Sequence, residues 1–217
     1  MKIQIITLFP EIFDGIFAAS MLYKAALKQI VSYEIINLRD FGQGVRYRVD
    51  DTPYGGGDGM LLMVEPLQKA IELAKSNDPD AAVILPTPRG SSYRQSAAKA
   101  LAKSGRGLII ICPRYEGYDE RIVNWVDYQF SIGNFILTGG ELPAAVIIDS
   151  VVRLLPGVLG GASSAEIESF QQNDMNIEFP QYTRPEEFMG YRVPKVLLSG
   201  NHAKIATWRQ KHSASGD

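Results

Sequence analysis

The chain has 217 residues, 46% of them hydrophobic, and a formal net charge of −2. That length suits one sizeable domain plus a small second one, and that composition suits a buried core. The single cysteine, Cys112, excludes an intramolecular disulfide and a cysteine-built metal site and fits a reducing, cytoplasmic setting, while no apolar run approaches the roughly 20 residues that cross a bilayer.

In chain order, residues 2–8 predict a β-strand. The stretch holds Gln4 and Thr7 and stops at Pro10, unlike a signal peptide. Apolar residues at helical spacing predict a helix over 11–28, and weak alternation predicts a strand over 33–38. Residues 39–59 form a loop rich in glycine and proline, of the length that usually serves function. Its Tyr54-Gly-Gly-Gly-Asp-Gly59 run looks like a phosphate cradle but lacks the Gly-Lys-Ser/Thr ending of a P-loop.

A helix follows over 60–76, then a strand over 81–85 closed by Pro86-Thr-Pro88. The spacing predicts a helix over 91–103 with Ser91 or Ser92 as its N-cap, and a fully buried strand over 108–112. A short helix over 120–125, a strand over 127–132 and a long helix over 142–155 complete the first part. Alternation of strands and helices implies an α/β fold with a mainly parallel sheet. Ligands in such sheets bind beyond the carboxyl ends of the strands. Three loops rich in glycine or proline stand there, at 85–90, 113–119 and 133–143, and their convergence marks a site.

The helix over 142–155 is apolar on nearly every face, with only Asp149, Ser150 and Arg153 polar. Such a helix is buried on both sides, and in a small domain a two-fold partner can supply the second side. After Gly157 the pattern changes. Residues 1–157 read as one domain, 158–179 as a flexible linker and 180–217 as a small second unit with a helix near 203–211. That unit carries Arg184, Arg192, Lys195, Lys204, Arg209 and Lys211 against Glu186 and Glu187, a distribution that attracts phosphate or serves as a solvated surface. No dinucleotide fingerprint and no nucleophilic serine in a Gly-x-Ser-x-Gly turn occurs. His202 and His212 stand ten residues apart without metal-ligand spacing, so no metal site is assigned to them.

Eight ordered segments then resemble one family. They are Leu8-Phe-Pro-Glu11, Val49-Asp-Asp-x-Pro-Tyr-Gly-Gly-Gly-x-Gly-Met60, Arg114-Tyr-Glu-Gly-x-Asp-Glu-Arg121, Ser131-Ile-Gly-x-Phe-x-Leu-x-Gly-Gly-Glu-Leu-Pro143, Asp149-Ser150, Pro156-Gly-Val-Leu-Gly160, Tyr182-Thr-Arg-Pro185 and Val193-Pro-x-Val-Leu-Leu-Ser-Gly-Asn-His202. From Met1 to about Lys211 the chain resembles the bacterial tRNA (guanine-N1)-methyltransferases, the TrmD family.

The resemblance implies a C-terminal trefoil knot in the sheet, which general topology rules disfavour, and a homodimer. It implies S-adenosylmethionine bound largely by backbone groups. By position these belong to Leu85, Pro86, Thr87 and Pro88; Pro113, Tyr115, Glu116 and Gly117; and Ser131, Ile132, Gly133, Asn134, Phe135, Ile136, Leu137, Gly139, Gly140 and Pro143. Glu116 matches a position that can hold the donor's amino end or a Mg²⁺ ion, and the sequence leaves both open. For tRNA the implied contacts are Asp50 at the guanine edge, Gly59 and Ser164 at the neighbouring nucleotide, and phosphates at Arg46, Arg48, Arg184, Lys195 and Lys204.

The implied reaction is methylation of N1 of the guanosine just 3′ of the anticodon, position 37. Guanine N1 carries a proton, so a base must remove it and a cation must face the charge that spreads to O6. The sulfonium is already a good leaving group, so methyl transfer needs chiefly in-line positioning. Arg153 matches the family's arginine. Glu168 stands where the family usually has an aspartate as base, with Glu166 as the fallback. Pro113 replaces a usual glycine, and the second unit looks shortened at its C-terminal end. Two other readings stay open: a catalytically impaired RNA-binding relative, and a knotted methyltransferase for another RNA.

Overall fold

The computed structural model describes residues 1–160, 168–170 and 174–215. It comprises two compact units, Met1–Leu159 and Gly160–Asp217.

The first unit opens on β1 (Lys2–Thr7), a 3-10 turn (Pro10–Phe13), α1 (Asp14–Phe17) and α2 (Ser20–Leu27). The single helix expected over 11–28 is thus interrupted. Ala19 is extended and Ser20 has a φ of +53°, so neither continues a right-handed helix. Next come β2 (Ser32–Asn37), β3 (Asp50–Asp51), β4 (Leu61–Leu62) and α3 (Val64–Asn77). Residues 61–62, expected to be helical, instead pair antiparallel with β3 and close the glycine-rich segment into a hairpin.

β5 (Ala82–Ser92), α4 (Gln95–Ser104), β6 (Leu108–Ile111), a 3-10 turn (Glu120–Trp125), β7 (Tyr128–Ser131) and α5 (Glu141–Val152) complete the unit. α4 begins at Gln95 rather than at 91, because Ser91 and Ser92 resume the pairing with β7 after a bulge between Pro86 and Ser91. Neither serine therefore caps α4.

The five long strands lie in the order β2-β1-β6-β5-β7, and every pairing among them is parallel. Alternate residues of each strand enter opposite faces. Ile3, Ile5, Ile84, Leu108 and Ile110 pack towards α2 and α5, whereas Ile6, Val83, Leu85, Ile109 and Ile111 pack towards α3. Both faces of the central strands are thus covered, which is why their sequences read as continuous apolar runs. β6, β5 and β7 are neighbours pointing the same way, so their carboxyl ends and the three following loops meet at one edge.

α5 buries Ala144, Ile147, Ile148, Val151 and Val152, while Leu142 and Val146 on its other face are 56% and 48% exposed. Within one chain the helix is therefore covered on one side only. In the second unit, β8 (Asn176–Ile177) pairs with β11 (Ala214–Ser215), and β9 (Glu187–Phe188) forms a hairpin with β10 (Tyr191–Arg192). α6 (Lys195–Leu198) and α7 (His202–His212) follow the hairpin, and Asn201 caps α7 by accepting from Lys204 N–H at 3.1 Å. None of its described residues is buried, in keeping with a segment too small for its own core.

A phenol joins the sheet edge to α5. The Tyr93 hydroxyl lies 2.7 Å from Ser150 Oγ, and burial pushes its pKa up to about 12, with the Ser150 hydrogen bond opposing. The folded state keeps this proton to about pH 12, whereas an unfolded tyrosine loses it near 10. The resulting stability is full below about pH 10 and declines as pH rises towards 12. Tyr93→Phe should therefore lose less stability than the unchanged chain over that window, by up to about 2 kcal/mol, in urea unfolding titrations at stepped pH.

Candidate functional site

The three loop ends enclose a cavity of about 540 Å³, within the usual range for small-molecule sites. Sixteen of the sequence-assigned donor residues line it: Pro86, Thr87, Pro88, Pro113, Tyr115, Glu116, Gly117, Ser131, Ile132, Gly133, Phe135, Ile136, Leu137, Gly139, Gly140 and Pro143. Leu85 does not. Strand alternation turns it into the core against α3, where it is wholly buried. Asn134 also lies off the lining, exposed on the loop.

Local chemistry sets each wall. Within β5 the bulge lifts Thr87, Pro88 and Arg89 out of the ladder. Tyr118 donates to Thr87 Oγ1 at 3.2 Å and pins this wall to the next. The second wall follows β6, where Gly117 N–H donates to Arg114 O at 3.1 Å in a tight turn with Tyr115 at φ +61°. β4 reinforces it: Glu116 N–H donates to Met60 O at 3.0 Å, and Leu62 N–H to Gly117 O at 2.9 Å.

That strap brings the glycine-rich segment against the cavity. Gly59 has a φ of +84°, and a Cβ there would stand 2.5 Å from Glu116 Cγ. Both conformation and space demand glycine. Asp50 pairs with Leu62 in the same hairpin, one strand from the cavity wall. The bidentate contact from Arg121 holds the Asp119 carboxyl below its usual range and stiffens the exit from this wall.

The third wall, residues 132–140, closes on the second by backbone contact. Gly140 N–H donates to Pro113 O at 2.7 Å, and a Cβ on Gly140 would lie 2.4 Å from Pro113 Cδ. Pro113 therefore commits its carbonyl to the neighbouring wall, with one lone pair left over. Glu141 opens α5 at only 2% exposure, accepting from Thr7 Oγ1 at 2.8 Å and pairing with Arg114 Nε at 2.9 Å. Nearby, burial first and the Glu141 carboxylate second raise the Cys112 thiol well above its ordinary range, so it stays protonated.

Seven further residues line the cavity: Arg89, Arg114, Tyr118 and Thr138 lie in the three marked loops without an individual assignment, and Leu61, Glu120 and Phe130 lie outside those loops. Arg114 and Glu141 both stood in recognisable motifs, but a pairing between residues so distant in sequence leaves no local signal.

Arg153, half-buried, ends α5 and does not line the cavity; its N–H donates to Asp149 O at 3.1 Å. Glu168 is half-buried in the second unit, where the neighbouring Ser169 Oγ accepts from Glu178 N–H at 3.1 Å. Arg184 is exposed in the same unit, as are Lys195 and Lys204. Ser164 and the fallback Glu166 lie outside the described residues. α7 and its surroundings combine cations with rings: Trp208 stacks on His212 at 4.1 Å, and Arg209 covers the Phe179 ring at 4.7 Å. No group of three metal-ligating side chains and no helix long and apolar enough to cross a membrane occurs among the described residues.

Comparison with known proteins gives a consistent result. Residues 1–216 match the family model described as tRNA (Guanine-1)-methyltransferase TrmD. A tRNA (guanine-N(1)-)-methyltransferase of Geobacter sulfurreducens is 52% identical over 212 residues, covering 97% of this chain and 85% of that protein. One from Dehalococcoides mccartyi is 52% identical over 215 residues, covering 98% and 86%. One from Dictyoglomus turgidum is 48% identical over 213 residues, covering 98% and 85%.

The contact between the second and third walls is open to a direct check. Gly140→Ala should cost about 1–3 kcal/mol in chemical denaturation, because the added methyl meets the rigid Pro113 ring rather than a movable side chain.

Proposed function

The chain belongs to the tRNA (guanine-1)-methyltransferase family, and from that premise we propose that it methylates N1 of the guanosine at position 37 of tRNA, taking the methyl from S-adenosylmethionine. The observation that carries this reading is the cavity at the carboxyl ends of β5, β6 and β7. Its size fits a nucleoside-sized donor, and Gly139 and Gly140 let the third wall pack directly on Arg114 and Pro113 of the second, which brings both walls to one cavity.

The residues take the following parts. Backbone groups of residues 86–88, 113–117 and 131–140 hold the donor, and Pro143 closes the floor. Glu116 faces either the donor's amino end or a Mg²⁺ ion. When bound, S-adenosylmethionine supplies a methyl on a sulfonium, whose leaving group is a neutral thioether. Glu168 accepts the N1 proton, and Arg153 faces the negative charge that spreads to O6. Asp50 and Gly59 in the strapped hairpin, together with Ser164, meet the guanine and its neighbour. Arg184 and the other cations of the second unit contact phosphate.

A homodimer brings Arg153 of one subunit to Glu168 of the other. The half-exposed Leu142 and Val146 on α5 support such a partner. The knotted arrangement belongs to the same proposal and comes from the family.

Two measurements test the reading. Calorimetry should show S-adenosylmethionine binding, and a chain that binds tRNA but no donor would instead be an RNA-binding relative. Methyl transfer should occur on tRNA with guanine at position 37 and disappear when that base is adenine; transfer that persists points to another RNA site. Glu168→Gln should lower kcat by about 10²–10⁴-fold with donor affinity retained, and near-normal turnover would remove Glu168 from the mechanism.

A further inference from the structure

Glu141 is a buried carboxylate with no part in the chemistry above. Burying a charge is costly, and an apolar residue of similar volume would often serve stability as well. Its surroundings point to a different use. One oxygen accepts from the Thr7 hydroxyl at 2.8 Å, and the other pairs with Arg114 Nε at 2.9 Å.

The network is closed at both ends. Thr7 Oγ1 accepts from Phe9 N–H at 3.0 Å, which orients its own proton towards Glu141. The Arg114 guanidinium lies over the Phe9 ring at 4.2 Å and donates through Nη1 to Thr138 O at 3.3 Å. A Cβ on Gly139 would stand 2.4 Å from Arg114 Nε, so the guanidinium fills the gap between the second and third walls. The Leu8-Phe-Pro-Glu11 motif thus reaches the cavity without forming any of its lining.

We infer that Thr7, Glu141 and Arg114 form a positioning unit that holds the donor cavity's two glycine-rich walls at a fixed separation, so that donor affinity depends on Thr7, a residue outside the cavity. The inference rests on the donor reading of that cavity. Thr7 fixes Glu141, the Glu141 charge holds the Arg114 guanidinium beside it, and Arg114 spaces residues 113–117 from 138–140. A cavity that recognises its ligand by backbone groups cannot correct a misplaced wall by side-chain rotation, so small displacements act on binding directly.

The test is donor binding by calorimetry, with KM for tRNA and thermal stability measured beside it, on Thr7→Val, Thr7→Ser and Glu141→Gln. Thr7→Val keeps the shape and removes the hydroxyl; Thr7→Ser restores it. Thr7→Val and Glu141→Gln should each weaken S-adenosylmethionine binding by about tenfold, while Thr7→Ser stays within about twofold and KM for tRNA stays within about twofold throughout.

Unchanged donor affinity in a folded Thr7→Val or Glu141→Gln variant overturns the inference, as does a Thr7→Ser variant as weak as Thr7→Val. Should Thr7→Val not fold, Glu141→Gln decides the matter, since it keeps side-chain volume and the Thr7 hydrogen bond. Absence of donor binding by the unchanged chain overturns the donor reading, and this inference with it. Binding by the unchanged chain and equally by the variants overturns the inference alone.

Discussion

The contact from the end of β1 through Glu141 to Arg114 joins three segments far apart in the chain. It ties the first strand to the loop after β6 and to the first turn of α5. A carboxylate in the first turn of a helix is favoured by the helix dipole, which offsets part of the cost of its burial. The Thr7 hydrogen bond and the nearby Arg114 charge offset more of it, although Arg114 Nε and Glu141 Oε2 stand close without hydrogen-bond alignment. Without this junction, the close approach of Gly140 to Pro113 would be the main bond between the two walls.

The sheet places that junction where it can matter. Three parallel neighbours end at one edge, so their following loops cannot avoid one another. Each loop then departs from regular structure for a definite reason. The β5 segment bulges, the β6 loop turns tightly through Tyr115 and Gly117, and the β7 loop is drawn in by Gly139 and Gly140. The glycine-rich hairpin is strapped over the second wall by β4, so the segment proposed to meet guanine and the segment proposed to hold the donor share a framework. Rigid elements thereby present backbone groups at defined positions, the requirement for in-line transfer.

Much of this was legible beforehand. Buried strands such as residues 108–111 declare themselves by continuous β-branched residues, and the glycine and proline punctuation marks the loops that gather at the sheet edge. What failed to show was local competition. The break at Ala19 and Ser20 carries no proline to announce it, and Ser91 and Ser92 look like helix caps until β7 offers them hydrogen bonds. Leu85 stands at the same motif as the lining residues, yet strand alternation sends its side chain into the core, which leaves only its backbone for the role its position suggests.

The sequence by itself determined the α/β class, the parallel sheet, the family and the segments that form the cavity, because these depend on periodicity and on ordered motifs along the chain. Only the tertiary structure decided which residues touch: that Arg114 spaces the walls, that Glu141 is held by Thr7, and that Pro113 commits its carbonyl to Gly140. It also showed that α5 has one apolar face its own chain leaves open. Pairings of this kind join residues whose separation along the chain bears no relation to their distance in space, so no local pattern encodes them.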